Sequence, residues 1–364
     1  MQPSARMSTS VARITTPGTL SLLRRVNEAL REVKKVDPRD RYCFIHPDSD
    51  QAHVGMGFKL LNIPQSEEVY QKSSDIVKKD ILKLCLNGPK SELYDSIENR
   101  NVATYVTTQA TIAKLLSEKP DLQPFCKISL GIGVGFVNAL VFHGLMRFED
   151  GLELVQYQGR AMDRAANMIP SAKLRIRLRP ATSKSKVCRA AQEHCLRMDI
   201  PPHAAICSVT KQMKAHWIEV GGHEEAIKYL ETEGQRLFEF FHIQRITKSP
   251  QPINTQLMRP VQEFVRGYLD HKIKDNSNYL QSGDSCTVYS STSGYRCRKA
   301  ETIKKDLINY PTHPVKMEQV FHSAFKRRKD LAQPNIFVLW DKKIIRDLNV
   351  VNRRAAEKAK LVEA

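Results

Sequence analysis

The pattern of apolar and polar positions predicts a chain in which strands alternate with helices. Short apolar runs at residues 42–45 and 128–130 are typical of buried strands. Helical spacing of apolar residues appears at 80–86, 102–116 and 137–145, and Asn-Gly-Pro separates the first two of these helices. Strands that alternate with helices favour an α/β fold with a parallel sheet.

The strictest alternation lies at residues 173–179, where apolar and basic residues take turns. A period of two predicts a strand with one buried face and one basic face. The apolar face consists of Leu174, Ile176 and Leu178. The basic face consists of Lys173, Arg175, Arg177 and Arg179. Four cations on one strand face repel each other, so we expect a partner of opposite charge, with a solvated basic face as the alternative.

The elements that follow this strand predict a small inserted domain. A helix is expected at 184–198, strands at 204–209 and 215–220, a helix at 223–233 and a strand at 238–246. The order β-α-β-β-α-β is that of the ferredoxin-like fold. We therefore assign residues 171–248 to a ferredoxin-like small domain.

Mixed elements return after Pro250, with helices at 261–269, 301–309 and 317–326 and strands at 286–289 and 336–339. The last segment, 351–364, predicts a basic, exposed helical tail. Its cations include Arg353, Arg354, Lys358 and Lys360.

The formal charge of +18 indicates an anionic partner such as nucleic acid, anionic lipid or an acidic protein. The alternative is adaptation to a basic compartment such as the mitochondrial matrix. Residues 1–40 are rich in Arg, Ser and Thr, and no acidic residue precedes Glu28. This composition is typical of a mitochondrial transit peptide, with a disordered tail as the alternative. No apolar run approaches the roughly 20 residues that span a bilayer.

No metal site is predicted. The eight cysteines show no paired spacing and are expected to be reduced and mostly buried. Cys188, His194, Cys195 and His203 lie close in sequence, but their spacing matches no common zinc pattern. Asp48 and Asp50 could form a metal site, but a solvated loop is the better interpretation.

A glycine-rich turn at residues 131–136, with the sequence Gly-Ile-Gly-Val-Gly-Phe, joins a strand to a helix. In strand–turn–helix motifs of the G-x-S-x-G type, the middle position carries a nucleophile. Gly133 stands at that position, so the turn is retained but the reactive group is missing.

Several strings in one order resemble malonyl-CoA:acyl carrier protein transacylases, especially the mitochondrial branch. They include VGMG at 54–57, LNGP at 86–89, ALVFHG at 139–144, FEDGL at 148–152, GRAM at 159–162 and PVK at 314–316. The resemblance covers residues 42–348. It implies an α/β-hydrolase-like core with a parallel sheet, built from residues 41–170 plus 249–350, around the ferredoxin-like insert.

The departures from the family pattern lie where that family performs its chemistry. The resemblance places Gly133 at the nucleophile, Asn254 at the catalytic histidine and Gln158 at the arginine that pairs with the malonyl carboxylate. The oxyanion loop of the family corresponds to residues 48–52, which here carry two acids. Tyr310 replaces a glutamine, and Leu-Trp-Asp at 339–341 replaces a Gly-Pro-Gly sequence.

Acyl transfer needs an activated nucleophile, a base and donors for the oxyanion. Gly133 cannot attack, Asn254 cannot exchange a proton as histidine does, and Gln158 offers no charge to a carboxylate. Rescue would require Cys126, Ser129 or His143, which lie beside the turn in sequence. We therefore expect no catalytic residues, and the chain is interpreted as a pseudoenzyme.

Two hypotheses follow for the function. The first is a catalytically inactive homologue that acts as a binding or scaffold protein in the mitochondrial matrix, with acyl carrier protein or the mitochondrial ribosome and its RNA as candidate partners. The alternative is an active malonyl or acyl transferase of mitochondrial fatty acid synthesis with catalytic groups foreign to the family.

The candidate contacts for an acidic partner or for RNA are the basic face at 173–179 and the cluster Lys326, Arg327, Arg328 and Lys329. No aromatic-interleaved RNA-recognition motif appears, so base-specific readout is not predicted. No cofactor is predicted. Residual coenzyme A binding would use a vestigial cleft formed by Gly131, Gly133, Gly135 and Arg160.

Overall fold

The structure is a computed structural model that describes residues 42–214, 216–283, 286–326 and 332–364. The predicted transit peptide lies outside the described residues. In chain order, the described strands are β1 (Tyr42–His46), β2 (Ile128–Gly131), β3 (Ser171–Arg177), β4 (Cys207–Lys214), β5 (Trp217–His223), β6 (His242–Arg245), β7 (Thr287–Ser290), β8 (Arg296–Cys297), β9 (Val315–Lys316), β10 (Asn335–Leu339) and β11 (Ala359–Val362).

Helices connect these strands and cover the sheets. In chain order, the described helices are α1 (Pro64–Val77), α2 (Ile81–Asn87), α3 (Lys90–Tyr94), α4 (Ile97–Glu118), α5 (Gly135–Phe142), α6 (Phe148–Ala166), α7 (Lys184–Arg197), α8 (Glu224–Thr232), α9 (Gly234–Phe238), α10 (Arg259–Asp275), α11 (Ala300–Asn309), α12 (Met317–Phe325), α13 (Lys342–Val351) and α14 (Arg353–Ala356). None of the described helices is long and apolar enough to cross a membrane.

The main sheet has the strand order β11-β10-β1-β2-β7-β8, and only β8 runs antiparallel to its neighbour. Its central strands are buried on both faces, as expected for a parallel sheet. Ile45 and Leu130 pack on one face with Phe321 of α12, whereas Phe44 packs on the other with Phe142 of α5. The predicted α/β class with a parallel core sheet is confirmed.

The second sheet has the order β6-β3-β5-β4-β9. Its first four strands follow the antiparallel order of a βαββαβ unit, and β9 joins from the main part of the chain by parallel pairing with β4. One face packs on α7 and α8 through Leu174, Ile176 and Ile227. The other face is directed toward the main sheet, so the two sheets enclose a cleft.

The prediction of an exposed helical tail at 351–364 is wrong. The short helix α14 is followed by strand β11, which pairs in parallel with β10 from Ile336↔Ala359 to Leu339↔Val362. A strand of four residues shows too little alternation to be recognised in the sequence, and the many basic residues of this segment favoured an exposed tail. The carboxyl terminus therefore extends the main sheet.

Candidate functional site in the cleft between the sheets

The glycine turn lies at the carboxyl end of β2, where α5 begins. Gly133 has a φ of +54°, a conformation that favours glycine, and its N–H donates to Ser291 Oγ at 3.0 Å. A Cβ atom at Gly133 would overlap the carboxylate of Asp48. The position that the resemblance assigns to the nucleophile is therefore filled by another residue's side chain.

Asp48 occupies the amino end of α5 and is only 5% exposed. Its Oδ1 accepts a hydrogen bond from Ser49 N at 2.8 Å and a longer one from Val134 N at 3.4 Å. Backbone N–H groups at a helix amino end carry partial positive charge and favour an anion. The protein thus supplies its own carboxylate at the place where this turn would otherwise receive an anionic ligand.

Lys211 of β4 reaches across the cleft to two carboxylates of the loop at residues 48–50, which follows β1. Its Nζ lies 2.8 Å from Asp50 Oδ2 and 3.6 Å from Asp48 Oδ2, and all three side chains are largely buried. Burial raises the pKa of Asp48, and the neighbouring Asp50 raises it further. Burial acts in the same direction on Asp50, but Lys211 overrides it and holds the pKa of Asp50 well below its usual range. Burial opposes the charge of Lys211, but the carboxylates raise its pKa, so Lys211 and Asp50 form the charged pair of this buried cluster.

The inner half of the predicted basic face joins this cluster instead of facing solvent. Lys173 is only 4% exposed, and burial lowers its pKa. Arg175 Nη2 donates to Glu219 Oε1 at 2.7 Å, and Glu219 is itself buried. The prediction of a solvent-facing basic surface is therefore wrong at Lys173 and Arg175, because Glu219 on the neighbouring strand and the 48–50 loop provide the opposite charges.

Asn254, at the family's histidine position, has a structural contact. Its Nδ2 donates to the carbonyl oxygen of Tyr310 at 2.6 Å, and its backbone N–H donates to Pro311 O at 2.8 Å. The residue is 4% exposed and adopts a left-handed φ of +67°. Asn254 therefore joins two loops, at a position where a base would have to face the cleft.

Gln158 and Arg160 lie on α6 but have different environments. Gln158 is buried, and its Nε2 donates to Leu307 O at 3.2 Å. Arg160 is half-exposed and forms a two-pronged pair with Glu98, with N–O distances of 2.9 and 3.2 Å. The proposed grouping of Arg160 with the turn glycines is therefore wrong, because Glu98 holds its guanidinium on the outer side of the helix.

Arg100 of α4 is a buried charge that the sequence analysis missed. It is 2% exposed, its Nη1 donates to the carbonyl of Tyr94, and its Nη2 donates to Gln251 Oε1 at 2.9 Å. Burial lowers its pKa, while Asp163 and more distant carboxylates oppose the shift. The available signal was an arginine among the apolar positions of a helix, which is uncommon unless the charge has partners.

The three residues that could replace the missing catalytic groups lie close together near the turn. Ser129 Oγ and His143 Nε2 are 2.9 Å apart, and Cys126 Sγ lies 4.0 Å from the same hydroxyl. Ser129 is completely buried, and burial lowers the pKa of His143 to about 4. This serine and histidine have suitable mutual geometry, but the serine has no exposure to a substrate.

The outer candidates of the basic face are exposed. Arg177 is the last residue of β3 and Arg179 follows the strand, and both lie beside aromatic rings. Lys326 is exposed just after α12, and Arg327, Arg328 and Lys329 lie outside the described residues. The described ranges contain no group of three or more His, Cys, Asp or Glu side chains that could hold a metal ion.

A parallel α/β core, a ferredoxin-like second sheet and a strand–glycine turn–helix in the cleft between them define an acyltransferase type of fold. A crystal structure of acyl-carrier-protein-S-malonyltransferase from Bartonella henselae superposes with a TM-score of 0.74 at 16% identity, over 89% of this chain and 95% of that one. This similarity shows the fold.

Sequence relatives give the family. A probable mitochondrial malonyl-CoA-acyl carrier protein transacylase of Drosophila melanogaster is 27% identical over 340 residues, which are 92% of this chain and 86% of the fly protein. The mitochondrial malonyl-CoA-acyl carrier protein transacylase of Homo sapiens is 31% identical over 295 residues, which are 80% of this chain and 72% of the human protein. No family model matches the chain. The chain belongs to the malonyl-CoA-acyl carrier protein transacylase family.

Proposed function

We propose that this protein is a catalytically silent member of the transacylase family that acts as a binding or scaffold protein. The observation that carries the proposal is the carboxylate of Asp48, which fills the space above Gly133 and accepts one long hydrogen bond from Val134 N at the amino end of α5. A tetrahedral oxyanion would have to form in the same region, where two acids raise its energy.

The remaining family positions support the same function. Asn254 cannot act as a proton acceptor, and its amide is already bonded to Tyr310 O. Gln158 is neutral and directed to a backbone carbonyl of α11. A substrate carboxylate would therefore meet no cation at Gln158, and Lys211 is already paired with Asp50.

Intact-protein mass spectrometry after incubation with malonyl-CoA tests the proposal. Holo acyl carrier protein is added as acceptor in a parallel reaction, and a bacterial transacylase serves as the positive control. We expect neither a malonyl adduct on this chain nor a malonylated carrier. An adduct or a transferred malonyl group would contradict catalytic silence.

The alternative function is an active malonyl or acyl transferase in mitochondrial fatty acid synthesis. Ser129 and His143 are the strongest candidates for it because their side chains are in hydrogen-bond contact. If an adduct forms, Ser129→Ala and Cys126→Ser identify its site, and loss of the adduct in either variant would favour the alternative.

We place the protein in the mitochondrial matrix. The support is the acid-poor, arginine-containing amino terminus and the word "mitochondrial" in the names of the fly and human relatives. Import of the full chain into isolated mitochondria tests this location. Protease added after the outer membrane is opened should leave the imported protein intact. Its degradation would contradict a location in the matrix.

Acyl carrier protein is the first proposed partner, because the relatives are named for acting with it and because the charge of +18 suits an acidic protein. The mitochondrial ribosome is the second. No cofactor is proposed, and residual coenzyme A binding is expected to be weak because Asp48 occupies the anion position at α5. Calorimetry with coenzyme A tests this point, and Asp48→Ala is expected to bind coenzyme A more tightly than the wild type.

A further inference from the structure

The outer end of the small-domain sheet carries a row of cationic and aromatic side chains. Arg177 of β3 is directly opposite Trp217 of β5 on one side and His242 of β6 on the other. Residues directly opposite each other across a sheet share a face. The guanidinium of Arg177 lies 5.9 Å from the centre of the Trp217 ring and 5.4 Å from that of Phe241.

A second arginine extends this row. The guanidinium of Arg179 lies 5.3 Å from the ring centre of Phe241, and Phe241 is 55% exposed. Trp217 and His242 are 5.5 Å apart between ring centres. We call Arg177, Arg179, Trp217, Phe241 and His242 the sheet-end patch.

The cations of the sheet-end patch are weakly neutralised. Arg177 forms no ion pair within the part of the chain that the structure describes. Arg179 pairs with Glu239 at 3.2 Å, but both side chains are more than half exposed. An exposed pair of this kind contributes little energy and exchanges readily for another anion. Both guanidinium groups are therefore available to a phosphate.

A cavity of about 290 Å³ opens directly beside the patch. Trp217, His242 and Gln244 line its outer part, whereas its inner wall carries the ion cluster of Lys211, Asp50 and Glu219. The outer part of the cavity thus places an aromatic ring, an amide and an imidazole beside the two arginines of the patch, while Lys214 is already paired with Asp347 at 2.8 Å. These groups could bond a base edge or a ribose hydroxyl, whereas the exposed ring of Phe241 offers a second stacking surface.

We propose that the sheet-end patch binds single-stranded RNA. Single strands are bound by aromatic side chains that stack on bases together with cations that follow the backbone. Here both faces of the sheet are covered, and the rings stand at its outer end, where Trp217 and Phe241 flank the arginines. The inference does not depend on catalytic silence, because none of the patch residues stands at a position that the family uses for catalysis.

The patch fits RNA better than an acidic protein. Carboxylates need only the cations, and they leave exposed rings such as that of Phe241 without a role. A nucleotide uses both groups, since its phosphate pairs with guanidinium and its base stacks on the ring. Binding by an acidic protein remains a separate outcome that the experiment below distinguishes.

Fluorescence anisotropy of the full chain with a labelled single-stranded RNA of about 12 nucleotides tests the proposal. Affinity is expected to fall steeply between about 50 and 200 mM salt, because phosphate contacts release counterions. Phe241→Ala and Arg177→Gln are each expected to weaken binding about tenfold.

Matched controls are available on α10, far from the patch in sequence. Phe264 is 62% exposed and Arg266 is an exposed arginine, so Phe264→Ala and Arg266→Gln remove the same chemical groups. These variants are expected to bind RNA like the wild type. In a Trp340→Phe background, Trp217 is the remaining tryptophan, and RNA is expected to quench its fluorescence.

The outcomes separate the alternatives. A single-stranded DNA of the same sequence is expected to bind several-fold more weakly, and tighter binding of DNA would contradict the assignment to RNA. Equal losses in the patch and control variants, or a salt-independent affinity, would overturn the proposal. The proposal would also be overturned if the protein bound acyl carrier protein but not RNA, and if Arg177→Gln abolished the binding of acyl carrier protein.

Discussion

The two ends of strand β3 carry the same residue types but have opposite environments. At the inner end, Lys173 is buried and Arg175 is paired with the buried Glu219. At the outer end, Arg177 and Arg179 are exposed and lie over aromatic rings. Regular alternation therefore determines which face a side chain occupies, but only the neighbouring elements determine whether its charge is used inside the protein or outside it.

The difference has a physical cause. A buried cation is tolerated only when carboxylates and hydrogen bonds replace its water, and the inner end receives these from Glu219, Asp48 and Asp50. The outer end keeps its water and needs no fixed partner. We therefore expect substitutions at the inner end to change stability and those at the outer end to change binding.

The largest expected effect is the removal of the cation that bridges the cleft. Lys211→Met leaves Asp48 and Asp50 buried without their shared partner, so it should lower the free energy of unfolding by about 3–5 kcal/mol. Urea denaturation followed by circular dichroism measures the change.

Asp50→Asn in the Lys211→Met background should recover part of this loss, because it removes one of the two unpaired charges. Lys326→Met, at an exposed lysine, is the matched control and should change stability by less than about 0.5 kcal/mol. Equal effects of Lys211→Met and Lys326→Met would mean that the cluster does not stabilise the fold.

The second effect concerns the turn itself. Gly133→Ala introduces a Cβ into a left-handed position and into the carboxylate of Asp48, so a loss of about 2–4 kcal/mol is expected. In an Asp48→Ala background the overlap disappears and only the backbone strain remains. The same substitution should then cost about 1–2 kcal/mol, and a double-mutant cycle measures the coupling. Additive losses would contradict direct contact between Asp48 and residue 133.

Much of the fold could be predicted from the sequence because its signals are local. The alternation at 173–179 placed Leu174 and Ile176 in the core, and the glycine turn marked the junction of β2 with α5. The carboxyl-terminal strand β11 could not be predicted in this way, because four residues carry too little pattern and their partner β10 had to be present first.

The site was harder to predict because its contacts span long stretches of sequence. Lys211 and Asp50 are 161 positions apart, so no local spacing reveals their pair. The rings beside Arg177 come from β5 and from the segment before β6, so they form no aromatic-interleaved motif that is continuous in the sequence. The missing information was the packing of the two sheets in the first case and the register between β3, β5 and β6 in the second.

The third effect concerns His46, a buried imidazole whose ring lacks the hydrogen-bond partners that the buried Lys211 has. Neither ring nitrogen of His46 has a hydrogen-bond partner within the described residues, and burial lowers its pKa to about 3, with His143 adding to the shift. The unfolded chain binds a proton near pH 6.5 but the folded chain does not, so stability falls as the pH drops below 6.5. At pH 5 the loss due to His46 should be about 2 kcal/mol.

Denaturation of the wild type and His46→Phe at several pH values measures this contribution. The variant should show a shallower decline between pH 6.5 and 4, whatever its stability at pH 7. Since His46 and His143 interact, the difference between the two profiles reports His46 together with its coupling to His143. Parallel pH profiles would show that His46 is not buried in its neutral form.

The smallest effects compare the two ends of β3 directly. Arg175→Gln removes the partner of a buried carboxylate and should destabilise the protein by about 1–3 kcal/mol. Arg177→Gln removes an exposed cation over aromatic rings and should cost less than about 1 kcal/mol. The two substitutions are chemically identical and lie two positions apart on one strand face, so the difference between them reports only the surroundings. If Arg177→Gln were the more destabilising change, the outer arginine would hold the fold together and would not be available to a partner.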